Sequence, residues 1–179
     1  QLELDAVWKP KSVKPGKIQL DFKSIGPKKL LALLGRLNIA SKEWLIRQYD
    51  HEVQGTSVVK PLHTRMIGTH LEHSGPNDAS VLKPKFNSNR GLGVGCGINP
   101  KLSDLDPYLM AQMVTDESVR NLIAVGINYG TEDSSIAVVD NFCWPDPQSD
   151  PQACADLVRT CFGLQNACLN LEVPLVSGK

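Results

Sequence analysis

The sequence predicts an α+β fold in which a mixed β-sheet packs against helices, and three observations support this class. Short apolar stretches bounded by turn residues, such as Ala79–Leu82 and Ser135–Val139, are typical of strands. Longer segments after Asp106 and Asp150 have the apolar spacing of helices. Strands and helices alternate along 179 residues, which is enough chain for one sizeable core. Such interleaving favours helices layered on a sheet.

The elements are expected in a simple order. Residues 1–26, rich in Lys and Pro, predict an extended lead-in segment with at most one strand, and residues 27–179 predict the domain itself. One helix is expected near Pro27, and Ser41 can cap a second, short one. His63 to Asn77 is expected to be a loop. The predicted strands are 56–62, 79–82, 91–98, 135–139 and 174–176.

The segment from Asp106 to Gly126 is the most informative. Asp106 and the proline after it predict a helix N-terminus, and Gly126 predicts its end. Glu117 and Asn121 are four residues apart and share a face with apolar residues. A buried carboxylate needs a partner, and a metal ion would serve.

Composition limits the classes of function. The formal net charge is zero, so neither a nucleic-acid nor a membrane surface is expected. The five cysteines form no C-x-x-C pair and are expected to be free thiols in a reducing cytoplasm. Cys154, Cys161 and Cys168 are seven apart, which favours small buried residues on a helix over a redox or metal site. Because the chain starts with Gln1 and ends just after an apolar run, we expect it to be part of a longer protein.

Two other patterns have a functional and a structural interpretation. Alternating glycines from Gly91 to Gly97 could cradle phosphate, but they equally suit a strand with one small face that another backbone approaches. His63, His70 and His73 with Glu72 could bind zinc, but their spacing fits no structural zinc pattern, and ordinary histidines are favoured.

Asp78, Glu117, Asn121 and Asp140 form a better constellation, because all four side chains offer oxygen donors. Magnesium prefers such ligands and usually binds beside nucleotide phosphates. The alternative is four unrelated capping and turn residues.

Several segments together resemble one family. NIASKEWLIRQYDHEVQG, GPNDASVL, DPYLMAQMVTDESVRNLIAVG, VVDNFCWPDP and PLVSGK are similar to the second half of phosphoribosylformylglycinamidine synthase, also called formylglycinamide ribonucleotide amidotransferase. The resemblance covers most of the chain from Pro27 onward. It implies the fold of the N-terminal domain in the aminoimidazole ribonucleotide synthetase-like superfamily.

The resemblance also implies an activity. The family is a cytoplasmic ATP-dependent C–N ligase of purine biosynthesis, which uses magnesium and ammonia to convert formylglycinamide ribonucleotide to the amidine. A glutaminase domain or subunit supplies the ammonia from glutamine. The implied partners are that glutaminase and the remaining synthase domains, and the chain alone is expected to be inactive. A homodimer could imitate the family's paired N-terminal domains.

The resemblance assigns residues as well. Asp78, Glu117 and Asn121 match the magnesium ligands, Asn77 would contact the nucleotide, and a further ligand would lie beyond Lys179. Two departures are Asn77, where glycine is more usual, and Ser118, where alanine is usual. The alternative is a non-catalytic, structural half that holds an auxiliary nucleotide or only its partner domain. A third possibility, a selenophosphate or thiamine-phosphate kinase type, is disfavoured by RQYDHEVQG and DNFCW.

Overall fold

The computed structural model describes residues 3–11, 26–46, 48, 53–60, 62–67, 70–132 and 135–179. Contacts divide the chain into two compact units, one of Gln1–Val13 with Thr56–Lys179 and one of Lys14–Gly55. The predicted boundary at residue 26 stays a prediction. Within the described ranges, no helix is both long and apolar enough to cross a membrane.

The smaller unit contains helices α1, Pro27–Leu34, and α2, Glu43–Ile46, followed by a 3-10 helix, Val53–Gly55. Pro27 begins α1, where its missing N–H costs nothing. The Ser41 hydroxyl oxygen accepts a hydrogen bond from the Glu43 N–H at 3.2 Å. Both predicted helices are therefore confirmed, and α2 is a short helix of four residues.

The described residues of the larger unit include seven short strands. They are β1 Ser57–Val59, β2 Leu62–Ile67, β3 His70–Pro76, β4 Ala79–Leu82, β5 Leu92–Gly95, β6 Val138–Val139 and β7 Leu175–Ser177. The described strands form an antiparallel sheet of order β1-β4-β5, an antiparallel β2-β3 pair and a parallel β6-β7 pair. The mixed α+β class is confirmed, with its strands in three small sheets.

Two strand predictions were wrong in detail. The stretch 63–77 is not a loop, because β2 and β3 pair from Leu62–Pro76 to Ile67–His70. Its histidines and glycines suggested a loop, yet only two residues separate these strands, a length that suits a hairpin. The predicted strand 135–139 is reduced to Val138 and Val139, and Val139 is 67% exposed, which does not suit a fully buried strand.

The two long helices begin as predicted. Helix α3, Pro107–Ala124, follows a 3-10 helix, Pro100–Asp104, and α4 spans Pro151–Asn170. Asp106 accepts a hydrogen bond from the Tyr108 N–H at 2.8 Å, and Asp150 accepts one from the Gln152 N–H at 2.9 Å. Gly126 follows α3 with φ +92°, the left-handed conformation that commonly ends a helix.

Helices α3 and α4 pack closely because small residues line their contact. A Cβ at Gly163 of α4 would overlap the Tyr108 carbonyl oxygen of α3. The buried residues of the two helices are small or medium in size: Pro107, Ala111, Thr115 and Val119 on α3, and Ala153, Cys154, Ala155, Thr160, Gly163 and Ala167 on α4.

The alternating glycines bring β5 and the residues after it against α3. A Cβ at Gly95 would lie 2.9 Å from the Ser118 carbonyl oxygen, and one at Gly97 would overlap the carbonyl oxygen of Val114. The small-face interpretation is confirmed, and the backbone that approaches is that of α3. Leu92 and Val94 alternate with these glycines and are exposed.

Residues 3–11, here called the strap, lie on the helices. The Val7 N–H donates to the Pro151 carbonyl oxygen at 3.2 Å, and the Lys9 N–H donates to the Gln152 side chain at 3.0 Å. Trp8 stacks on the Arg159 guanidinium, whose carbon lies 3.8 Å from the ring centroid. Residues 3–11 form neither helix nor strand, and besides α4 they contact Asp104, whose Oδ1 lies 3.9 Å from Lys11 Nζ. The extended lead-in over residues 1–26 stays a prediction.

Candidate metal and nucleotide site

Glu117 and Asn121 both contact the main chain just after β5. Glu117 Oε2 accepts a hydrogen bond from the Ile98 N–H at 3.0 Å. One turn further along α3, Asn121 Nδ2 donates to the Cys96 carbonyl oxygen at 2.8 Å. Two side chains on the same helix face therefore form hydrogen bonds with one short main-chain segment.

These bonds leave one oxygen on each side chain. Glu117 Oε1 and Asn121 Oδ1 have no hydrogen-bond partner among the described residues. Carboxylate and amide oxygens are the donors that hard cations such as magnesium prefer. The donor set of this helix face thus fits the metal that the sequence predicted.

A cleft of about 300 Å³ lies beside these two residues. Arg120 is nearby, but its Nε is 2.5 Å from Asp116 Oδ2, so these two side chains form an exposed ion pair one helical turn apart. The cleft is lined by Asn99, Leu102, Met113, Val114, Asp116, Glu117, Arg120 and Asn121.

The prediction that Glu117 lies on the buried face of its helix was wrong. The buried stripe of α3 runs through Ala111, Thr115 and Val119, whereas Met113 is 56% exposed and Glu117 is exposed. The carboxylate consequently keeps solvent contact, so desolvation does not require an ion there. Sequence periodicity located the helix but assigned its buried face about two residues away.

Asn77 and Asp78 precede β4, at the end of the sheet where the chain leaves β5. Asn77 Nδ2 donates to the Lys60 carbonyl oxygen at 2.6 Å, which ties this turn to the chain after β1. Ala79 pairs with Gly95, so the exposed Asp78 adjoins the place where the chain leaves β5. Asp78 does not line the cleft described above, and the convergence of Asp78, Glu117 and Asn121 stays a prediction.

Asp140 lines a different cavity. Its N–H donates to the Ser177 carbonyl oxygen at 3.2 Å, so the DNFCW and VSGK segments are neighbours. The cavity, of about 620 Å³, is bordered by Asp140, the second half of α4 and β7. Partial burial, and then the negative charge of Asp140, raise the pKa of the Cys161 and Cys168 thiols above their ordinary value. Asp140 is thus separated from Glu117 and Asn121, which line the other cavity, and Asp78 lines neither.

All five cysteines are free. Cys154 is buried and Cys168 half-buried, but Cys161 is exposed, so the prediction that this row is buried holds only in part. Among the described His, Cys, Asp and Glu side chains, no group of three is arranged to hold a metal. The side chains of the proposed His63, His70, His73 and Glu72 group lie outside the described residues.

The main-chain segment 96–98 was missed as part of the site. Gly97 was its available signal, because a glycine that continues an alternating row past the strand end indicates a close backbone approach. The Arg159–Asp106 ion pair, with Nη2 2.8 Å from Oδ2, was also missed, since 53 residues separate its members in sequence.

Curated relatives share this sequence over most of its length. The chain is 33% identical over 151 residues to the phosphoribosylformylglycinamidine synthase subunit PurL of Gloeobacter violaceus. It is 36% identical over 149 residues to that of Thermococcus sibiricus. Each match covers 83% of this chain but only 18% of the relative, so the chain spans about a fifth of these proteins.

A solved structure and a family model agree with these relatives. The structure of PurLQS from Thermotoga maritima matches with a TM-score of 0.55 and 26% identity, covering 78% of this chain and 20% of that chain. The model of "AIR synthase related protein, N-terminal domain" matches residues 76–179. The resemblance found in the sequence is confirmed. This chain belongs to the AIR synthase related family, as an N-terminal domain.

Proposed function

We propose that this chain is the N-terminal domain of the second half of a longer phosphoribosylformylglycinamidine synthase. The supporting observations are its family, the names of its relatives and the share of their length that it spans. In that cytoplasmic ligase, formylglycinamide ribonucleotide would be converted to the amidine with ATP and ammonia. The domain's part would be to supply metal and nucleotide ligands.

Glu117 and Asn121 carry this proposal, because each has, on one face of α3, a side-chain oxygen without a hydrogen-bond partner among the described residues. Together with Asp78 they would hold magnesium, and Asn77 would lie beside the nucleotide. When bound, the ion would neutralise phosphate charge on ATP or ADP. The position of α3 fixes the Glu117 and Asn121 side chains, because α3 packs against the glycines of β5 and of the residue pair that follows it.

The test uses the intact synthase that contains this chain. Glu117→Gln should lower ammonia-dependent turnover by more than about tenfold and raise the magnesium concentration needed for half-maximal rate. Glu132→Gln makes the same chemical change at an exposed loop position and should have no effect. Equal activity of both variants at every magnesium concentration would refute a metal role for Glu117.

The partners of the domain are also proposed. The matched structure is titled PurLQS and the relatives are named as subunits, which supports assembly with further chains. A glutaminase domain or subunit would deliver ammonia, so the isolated chain should not convert formylglycinamide ribonucleotide. Turnover of this substrate by the 179-residue chain, supplied with ammonia and ATP, would contradict that expectation.

One observation favours a second candidate, a structural half without chemistry. Glu117 and Asn121 already have main-chain partners, and these bonds alone could account for both side chains. A structural half would keep turnover unchanged in the Glu117→Gln synthase, because the amide oxygen still accepts the Ile98 N–H, whereas Glu117→Ala would lower its stability. A catalytic half would lose turnover at unchanged stability.

A further inference from the structure

The main-chain segment 96–98 contacts α3 by an unusually close approach. Gly97 faces the Val114 carbonyl oxygen, and no side chain larger than hydrogen fits between them. This approach brings the Cys96 carbonyl oxygen within 2.8 Å of Asn121 Nδ2 and the Ile98 N–H within 3.0 Å of Glu117 Oε2. One residue without a side chain therefore makes both hydrogen bonds possible.

We infer that the main chain of residues 96–98 orients the oxygen donors of this site, with Gly97 as the positioning residue. The inference rests on the proposed function, in which Glu117 and Asn121 bind magnesium. It adds to that proposal the reason why these particular oxygens face the cleft.

The orientation of the Asn121 side chain follows from the chemistry of its amide. The group has one oxygen and one NH2, and the Cys96 carbonyl can only accept a hydrogen bond. Because Nδ2 is held by that carbonyl, Oδ1 is turned away from the segment. An amide without this contact could rotate and present NH2, which cannot bind a cation.

The same main-chain segment also orients the Glu117 carboxylate. The Ile98 N–H occupies Oε2 and leaves Oε1 open. A carboxylate held at one oxygen also loses less rotamer freedom when a ligand binds the other. Hydrogen bonds that hold metal ligands in this way typically change metal affinity by about 10- to 100-fold.

No nearby cationic side chain among the described residues neutralises the Glu117 carboxylate. Arg120 lines the cleft but pairs with Asp116, and no Lys or Arg among the described residues forms an ion pair with Glu117. The carboxylate is therefore available to a cation from solution.

The test compares two variants of Ile98 in the 179-residue chain. Ile98 is 77% exposed, so Ile98→Ala removes a solvated side chain and keeps the N–H. Ile98→Pro removes the N–H donor to Glu117. Manganese ions replace magnesium as a paramagnetic probe, and NMR records the broadening of the Asn121 side-chain amide and of the Glu117 backbone amide.

We expect weak binding in the wild-type chain, with a dissociation constant of about 1 mM, because few protein ligands are present. In the Ile98→Ala variant, manganese should broaden these signals at the same concentration as in the wild-type chain. In the Ile98→Pro variant, the same broadening should require at least about tenfold more manganese. Equal broadening in both variants would overturn the inference while leaving the metal site in place.

A second variant, Gly97→Ala, tests the inference independently in case Ile98→Pro fails to fold. Gly97→Ala should separate the segment from α3, lose protection of the Ile98 N–H from hydrogen exchange and weaken manganese broadening to a similar extent. Gly97→Ala that retains both exchange protection and broadening would also overturn the inference. Absence of any broadening near Glu117 in wild type, with the Ile98 N–H protected, would instead overturn the proposed metal site and with it this inference.

Discussion

Asp106 joins two helices through a single carboxylate. It caps α3 through the Tyr108 N–H, and both of its oxygens lie within 2.9 Å of Arg159 Nη2 on α4. Burial would raise the pKa of Asp106, but the hydrogen bonds from Arg159 and Tyr108 outweigh it and hold the pKa below its ordinary value. The folded state consequently favours the ionised form.

Two substitutions separate the roles of Asp106. Asp106→Asn keeps a good cap but loses the charge, whereas Asp106→Ala loses both and should cost about 1 kcal/mol more in the free energy of unfolding. Because the pKa is lowered by folding, the stabilisation by the charge is complete above the unfolded value of 3.8 and is lost as the pH falls through the folded value.

Chemical denaturation across a pH series measures this effect. The stability difference between wild type and Asp106→Asn should be constant at neutral pH and shrink toward zero in strong acid. A difference that grows as the pH falls would contradict the assigned direction.

At the scale of elements, caps were predictable and pairings were not. Asp106–Pro107 and Asp150–Pro151 are local signals, and both helices start where these residues predict. The β2–β3 hairpin and the separation of Asp140 from Glu117 depend on contacts between distant residues. Helix periodicity likewise could not show which side of α3 meets α4 and which meets β5, because both sides carry apolar or small residues.

The strap is an element whose contribution can be measured. Trp8→Ala removes the ring that covers Arg159, and such cation–π contacts contribute about 0.5–2 kcal/mol. The thermal midpoint should fall by a few degrees. Trp44→Ala, a change of the same size at an exposed position in the smaller unit, should have less effect. Equal shifts would show that the strap does not stabilise the helices.

At the scale of the whole molecule, one sheet face has no cover among the described residues. Val58, Leu92 and Val94 are each more than half exposed on the β1-β4-β5 sheet. Exposed apolar patches and open strand edges tend to pair with another chain. We propose that isolated chains form a two-fold homodimer through these sheets, burying about 1,200–2,000 Å².

Light scattering at micromolar concentration tests this dimer. Val94→Lys should yield monomers, because a charge would be buried in the sheet contact. Leu169→Lys, on an exposed position of α4, should leave the dimer intact. A monomeric wild type would exclude the dimer, and loss of association only in Leu169→Lys would place the contact on the helices.

We expect Asp78, Glu117 and Asn121 to belong to one magnesium site. The most direct test of this expectation is a crystal structure of the intact synthase with manganese and nucleotide, in which anomalous scattering locates the ion. We expect a peak at about 2.0–2.2 Å from oxygens of all three side chains, with Oε1 and Oδ1 as the atoms contributed by α3. A manganese–nucleotide peak elsewhere, with Asp78 turned away from Glu117 and Asn121, would contradict the claim.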